Sequence, residues 1–376
     1  MNRPLKILVL GTGNAQVDLI KQAKIYGMEV HSCSYKKEGK GIQFSDFFTQ
    51  INITDTNAVI QYVKNNGINL VYSSGSDLAM PTVAAVSEKL NLPSFISFET
   101  AQQCNSKSSL RDILKSFPDY SVISMSVENS NDADKWTIFP AMVKPNDSQG
   151  QRGISKVENP SQLEKAVDIA KDHSRTNTAI IEEFVEGFEI SINSYLTNGD
   201  IRFNFISERN SFTNYPGGII KSHHYPVGRK INSDKIDLMI QSVLKALKIK
   251  NGPAYMQVKI NEEGNPKIIE VTPRFDGCHL WRLINALYGL NLMDIMLKHL
   301  TTGKIDEGAF DNILFPQSVR GDLLFFTSPP NSPFDKGKYE ITDNSVYTEW
   351  YYNDGEVVRE INGYREKTGY QIVLQK

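Results

Sequence analysis

The sequence predicts an α/β domain, then an α+β portion, then a strand-rich tail, and three observations carry that expectation. Short apolar strands alternate with amphipathic helical segments over the first hundred residues. Strands dominate from Ala141 to about Glu270, and strand patterning returns after Gly303. Strands separated by helices of such length imply right-handed βαβ units and a parallel sheet, so the first portion reads as Rossmann-like.

In chain order, Lys6–Leu10 reads as a strand, Ala15–Tyr26 as a helix, and Glu29–Cys33 as a second strand after the turn at Gly27. Asn57–Asn66 is expected to be helical, Asn69–Ser73 a strand, and Ala79–Leu90 a helix ending before Pro93. Thr100–Leu114 reads as one helix, and the polar stretch Asn129–Asp134 as a turn. The expected strands beyond are Ala141–Lys144, Thr178–Phe184, Phe188–Leu196, Ile201–Ile206, Ala254–Ile260 and Lys267–Val271. Helices Ser161–His173 and Ser233–Leu247 interrupt them. Asn198-Gly199-Asp200 and Glu263-Gly264-Asn265 carry hairpin turn chemistry.

The 376 residues suffice for two or three domains. Their 41 Lys+Arg against 43 Asp+Glu leave a charge of −2, which argues against a dedicated nucleic-acid surface. Cys33, Cys104 and Cys278 are far apart and odd in number, so neither a disulfide framework nor a structural zinc site is expected. The apolar run Ile7–Leu10 stops at Gly11, too short for a signal-peptide core, and no stretch reaches the length of a membrane span. The expected compartment is the cytoplasm.

Five segments can carry chemistry. Gly11-Thr12-Gly13 opens like a dinucleotide fingerprint, but Gln16 takes the third glycine position and no acid ends the second strand. A tight strand-to-helix turn accounts for it. Lys144 ends a strand and leads into a loop holding Gly150, Arg152 and Gly153. Glycines let backbone N–H groups approach phosphate oxygens and Arg152 adds charge, although an ordinary turn has the same composition. Glu182, Glu183, Phe184, Val185 and Glu189 form an acidic, apolar strand end; it suits adenine and ribose, or is a solvated hairpin. Gln257 and Glu270 can face one another across a strand pair, with Thr272 on the face of Glu270 and Arg274 following. An oxygen-rich face of that kind suits Mg²⁺ bridging phosphates, with Arg274 steadying a transferred phosphoryl group. Lys107 alone is a solvated lysine; its place in the series singles it out. His223 and His224 alternate across a strand, which puts one inside and one outside.

Taken in order, these segments resemble the ATP-grasp superfamily, especially its carbamoyl-phosphate-synthetase-like branch, over residues 6 to 300. The resemblance implies a pre-ATP-grasp domain at 1–95 and an ATP-grasp domain at 96–302. The latter divides into a small lobe of about 120–185 and a large lobe of about 186–302, before the tail at 303–376. It implies that Lys107 and Lys144 contact ATP phosphates and that Gly150–Gly153 form a lid. Glu182 and Val185 would bind adenine, with Glu183 and Phe184 beside them, and Glu189 the ribose. Gln257, Glu270 and Thr272 would ligate Mg²⁺ or Mn²⁺, and Arg274 would act with Lys144 at the transferred phosphate. Thr272 stands where the family usually has Asn. The activity implied is ADP-forming ligation of a small-molecule carboxylate to an amine through an acyl phosphate, by a homodimer. A carboxylate kinase of the carbamoyl-phosphate type is the alternative, and a non-catalytic nucleotide-binding module or a nicotinamide-dependent oxidoreductase are readings from other classes.

Overall fold

A computed structural model describes residues 4–148, 150, 152–212, 218–310, 319–361 and 363–375; Gln149 and Gln151 of the glycine loop lie outside the described residues. Strands β1 (Lys6–Leu10), β2 (Glu29–Ser34), β3 (Phe47–Gln50) and β4 (Leu70–Tyr72) form a parallel sheet in the order β3-β2-β1-β4. Helices α1 (Asn14–Ile25), α2 (Thr56–Asn66) and α3 (Met80–Leu90) connect or follow them. Ile7, Leu8, Val9 and Leu10 are wholly buried. A central parallel strand is covered on both faces, which is why β1 reads as an unbroken apolar run. The Asp55 side chain caps α2 by accepting from Ala58 N at 3.0 Å, and Gly67 ends it at φ 62°. Strand β3 is an addition to the sequence reading: it lies at the sheet edge and leaves Phe47 half exposed, so no burial pattern marks it.

The helix expected at Thr100–Leu114 is two helices, α4 (Phe98–Asn105) and α5 (Lys107–Leu114). Ser106, extended at φ −97° and ψ 116°, ends the first, and its Oγ caps the second by accepting from Ser109 N. Serine favours such caps over a helix interior because its hydroxyl competes for local backbone N–H groups. A second sheet follows from β5 (Ser124–Val127), β6 (Ala141–Pro145), β7 (Ser155–Val157) and β8 (Ala179–Glu183). It is antiparallel in the order β5-β8-β6-β7, with α6 (Leu163–Asp172) packed on it. The polar stretch before β6 closes as a 3-10 turn at Ser130–Lys135.

The third sheet is eight-stranded and antiparallel. It comprises β9 (Phe188–Thr197), β10 (Asp200–Ser211), β11 (Ile220–Tyr225), β12 (Gly252–Ile260), β13 (Pro266–Thr272), β14 (Arg320–Ser328), β15 (Ser345–Trp350) and β16 (Glu366–Gln375). Their order is β13-β12-β9-β10-β11-β14-β16-β15, so the strands of the tail continue the sheet through the β11–β14 pairing. Asn198 and Gly199, at φ 54° and 91°, make the tight β9–β10 hairpin turn. One sheet face presents Ile190, Ile192, Met256, Val258 and Ile260 to α7 (Ser233–Ala246), whose Ile236, Met239, Ile240 and Val243 are wholly buried. Each such side chain contributes about 1.5–3 kcal/mol by leaving water.

Because strand side chains alternate, the opposite face receives Glu189, Ser191 and Asn193 of β9, Arg209 of β10, His223 of β11, and Tyr255 and Gln257 of β12. That polar face is the floor of the site. Two helices the sequence reading lacked, α8 (Leu280–Tyr288) and α9 (Leu292–Thr302), follow β13 and join the core shared with the first sheet.

Candidate functional site

The side chain of Lys144 is set by sheet register. Met142 is the cross-strand partner of Glu182, and Lys144 lies two residues along β6, on the same face as Glu182. Lys144 Nζ donates to Glu182 Oε2 at 2.6 Å. Arg111 of α5 donates through Nε to Glu182 Oε1 at 2.7 Å, and through Nη1 and Nη2 to the carbonyls of Ile268 and Ile269 at 2.8 and 3.0 Å. One arginine thus ties the second sheet to β13. Burial alone would raise the Glu182 pKa, but the charges of Arg111 and Lys144 outweigh it and hold the carboxyl down to about 2. Both Glu182 oxygens are engaged by cations of the chain, so the carboxylate anchors Lys144 and Arg111. Arg111 was missed because it lies 71 residues from Glu182 in sequence and carries no motif.

The neighbouring residues are also fastened. Glu183 exchanges two 2.9 Å hydrogen bonds with the Ile123 backbone, its Oε1 accepting from Ile123 N while its own N–H donates to Ile123 O. Phe184 N donates to Pro140 O at 3.1 Å, and Lys156 Nζ sits 4.2 Å from the Phe184 ring centre. Val185 follows in the link to β9. Gly187 in that link is obligatory: at φ 122° a Cβ would stand 1.9 Å from Ile260 O.

Lys107 opens α5 and reaches the glycine loop, where its Nζ donates to Ser148 O at 3.0 Å; the Lys107 N–H donates to Asn146 O at 3.0 Å. Burial lowers its pKa, and the like charge of Lys144 adds to the effect. Gly150 and Gly153 both take positive φ, 73° and 69°. Gly153 is also close-packed, since a Cβ would lie 2.7 Å from His173 Cβ. Arg152 lies between them.

Gln257 and Glu270 are cross-strand partners on β12 and β13, as are Tyr255 and Thr272. Gln257 Nε2 donates to Glu189 Oε2 at 2.9 Å, and Arg209 Nη1 donates to the same oxygen. Glu189 is therefore held by neighbours rather than left open, and its pKa falls because Arg209 and Lys259 outweigh burial. The Glu270 carboxyl behaves oppositely: burial and the charge of Asp77 raise its pKa against the pull of Lys107, Arg274 and Lys144. Thr272 is buried, and its Oγ1 has no hydrogen-bond partner among the described residues.

Arg274 lies beyond the end of β13, and its charge reaches Glu270. Strand β13 ends at Thr272, and the arginine turns to the first domain, where Nε and Nη2 grip Asp77 Oδ1 and Oδ2 at 2.8 and 2.5 Å. Asp77 was missed in the sequence; its signal was the Ser74-Gly75-Ser76-Asp77 turn after β4, at the carboxyl end of a parallel sheet, where such folds place ligands. Among the described residues no group of three or more His, Cys, Asp or Glu could hold a metal ion. The donors here are one acid, one amide and one hydroxyl.

The glycine turn after β1 is filled by its own side chain. Gln16 Nε2 donates to Ser74 O at 2.5 Å, and its Oε1 lies 3.1 Å from where a Gly11 Cβ would be. The Gln16 side chain thus occupies the turn where the fingerprint would have its third glycine. His223 is buried and His224 half-exposed, the latter bonded to Asp322 Oδ1 at 2.6 Å and Ser222 Oγ at 2.7 Å.

The chain thus joins a parallel-sheet domain, a small antiparallel sheet and a long antiparallel sheet with a polar face. Residues 137–281 match the family described as the ATP-grasp domain. The fold of the chain is similar to that of an L-amino acid ligase from Bacillus licheniformis, at TM-score 0.80 and 17% identity, over all of this chain and 94% of that one. A phosphoribosylglycinamide synthetase from Anaerococcus prevotii matches at TM-score 0.74 and 18% identity, over 99% and 94% of the two chains. In sequence, the formate-dependent phosphoribosylglycinamide formyltransferase of Prochlorococcus marinus (strain NATL1A) is 25% identical over 196 residues, half of each chain. The D-alanine--D-alanine ligase of Flavobacterium psychrophilum is 29% identical over 122 residues, 32% of this chain and 37% of that one. No helix of the described residues is long and apolar enough to cross a membrane.

Proposed function

We propose that the protein is an ATP-dependent ligase that phosphorylates a small-molecule carboxylate and passes the acyl group to an amine. The observation that carries this reading is the setting of Glu270. Lys107, Lys144, Arg274 and Asp77, from four separate segments, all act on its charge, around a strand edge with an unpartnered Thr272 hydroxyl. Cations beside one oxygen-donor edge suit a triphosphate and its metal.

Mg²⁺ or Mn²⁺ fits Glu270, Gln257 and Thr272, because such a cation takes only one or two carboxylates and leaves its other positions to phosphate oxygens and water. When bound, it draws charge off the phosphates. Lys107 and Lys144 bind phosphate oxygens, and Gly150, Arg152 and Gly153 close over them. Glu183, Phe184 and Val185 border the adenine, and Glu189 exchanges its bond from Gln257 for the ribose. Arg274, aimed by Asp77, steadies the transferring phosphoryl group. A carboxylate oxygen attacks the γ-phosphorus and ADP leaves; the amine nitrogen then attacks the acyl carbon, loses a proton, and phosphate leaves. The protein acts as a homodimer in the cytoplasm, a reducing setting that suits three buried free thiols.

The test is ATP and Mg²⁺ with bicarbonate, amino acids and sugar acids against mixed amines. ADP and phosphate in equal amounts, dependent on a carboxylate, are expected. AMP and pyrophosphate would mean adenylation and end the reading.

A further inference from the structure

Two buried nitrogen atoms on the polar face of the third sheet have no hydrogen-bond partner among the described residues, Nε of Arg209 and Nε2 of His223. They belong to direct cross-strand partners on β10 and β11, so they share a face. Arg209 is 6% exposed and His223 1%. Arg209 uses Nη1 for Glu189, which leaves the Nε edge of the guanidinium uncommitted. Ser207 Oγ lies 3.4 Å from His223 Nδ1. With the hydroxyl donating there, the proton of the neutral ring sits on Nε2, and the ring presents a donor. Burial and the charges of Arg209 and Lys367 keep that ring neutral, pushing its pKa well down.

A buried donor without an acceptor costs about 1–3 kcal/mol. Here two such donors stand on adjacent strands, beside the positive charge of Lys367. Their position is also informative. Arg209 shares Glu189 with Gln257, and Gln257 faces Glu270. The pair therefore lies beside the edge assigned to the metal and phosphates.

We propose that Arg209 Nε and His223 Nε2 form the subsite for the carboxylate of the acyl substrate, each donating to one oxygen. A carboxylate fits better than a phosphate dianion, since Glu189 already offsets part of the Arg209 charge and the imidazole brings none. The inference deepens the ligase reading and rests on it for the identity of the ligand, but its test separates the two.

The probes are formate, acetate, bicarbonate, L-alanine and inorganic phosphate, each titrated against ¹⁵N-histidine-labelled protein with Mg²⁺ and ADP. One of the carboxylates shifts the His223 Nε2 signal saturably, and phosphate does not. In turnover, His223→Leu raises KM for that carboxylate about 10- to 100-fold, the worth of one hydrogen bond to a charged group. KM for ATP stays within about twofold, and His223→Gln, which keeps a side-chain N–H, recovers part of the loss. Saturable shifts without carboxylate-dependent ADP release leave the subsite standing and remove the ligase reading. ADP release without any carboxylate shift does the reverse. A shift with phosphate alone, or a parallel rise of both KM values in His223→Leu, also overturns the subsite.

Discussion

Two clusters of buried charge flank β13 and are built on opposite terms. Around Glu182 every charge has a partner: two carboxylate oxygens meet Lys144 and Arg111, and the remaining Arg111 donors meet two carbonyls. Around Glu270 the account is left open, with a raised carboxyl pKa and a buried Thr272 hydroxyl lacking a partner. A satisfied cluster holds shape. An unsatisfied one has room in its chemistry for something the chain does not supply. The difference sorts two glutamates that look alike in sequence into a scaffold residue and a candidate ligand residue.

The contrast is measurable in folding stability, in descending order of effect. Glu182→Ala strands two buried cations and is expected to cost about 3–5 kcal/mol by denaturant unfolding; a loss under 1 kcal/mol would show that the triad does not hold the lobes together. Acid titration comes next. The Glu182 carboxyl is depressed from 4.5 to about 2, so its contribution is complete above pH 4.5 and disappears as pH falls towards 2. That amounts to about 3 kcal/mol. The wild type should show this slope and Glu182→Gln should lack it, and equal slopes would assign the acid sensitivity elsewhere.

Glu270→Gln reverses the pattern. Its carboxylate is disfavoured by burial and by Asp77, so the neutral isostere should leave stability within about 1 kcal/mol while abolishing ADP release. A large drop in stability would make Glu270 structural. Smallest is Thr272→Val, which removes an unpartnered hydroxyl and keeps the β-branched shape. Stability should hold or rise slightly, by less than about 1 kcal/mol, with weaker Mg²⁺ dependence of turnover. Thr272→Asn should match or exceed wild type in that titration. If Val and Thr titrate identically, Thr272 is not near the metal.

The local record of this fold is legible in the chain, and the long-range record is not. Strand β1, the glycine-bearing turn of β9–β10 and the facing of Gln257 with Glu270 follow from apolar runs, turn residues and hairpin register. The break at Ser106 is local too, and was lost because helical periodicity resumes on both sides of it. Helices α8 and α9 follow the polar Arg274–Cys278 segment, and the buried Leu280, Leu283 and Ile284 of α8 share its short span with Arg282 and Asn285. No local pattern links Arg111 to Glu182 or Arg274 to Asp77, 71 and 197 residues apart. Those pairs exist only once three sheets meet. Functional assignments drawn from motif order therefore named Glu182, Lys144 and Arg274 but neither Arg111 nor Asp77.

The pairing of β11 with β14 bears on how the protein can be handled. A fragment cut at residue 302, past the matched segment 137–281, would keep β9 to β13 but strip β14 from β11, whose register runs from Ser222 to Tyr225. The row of N–H and C=O groups so uncovered would be open to any other strand, and open edges of that kind recruit copies of themselves. Such a fragment is expected to aggregate on expression, whatever its own core is worth. Trimming this protein to its recognisable domain would remove the strand that keeps that domain to itself.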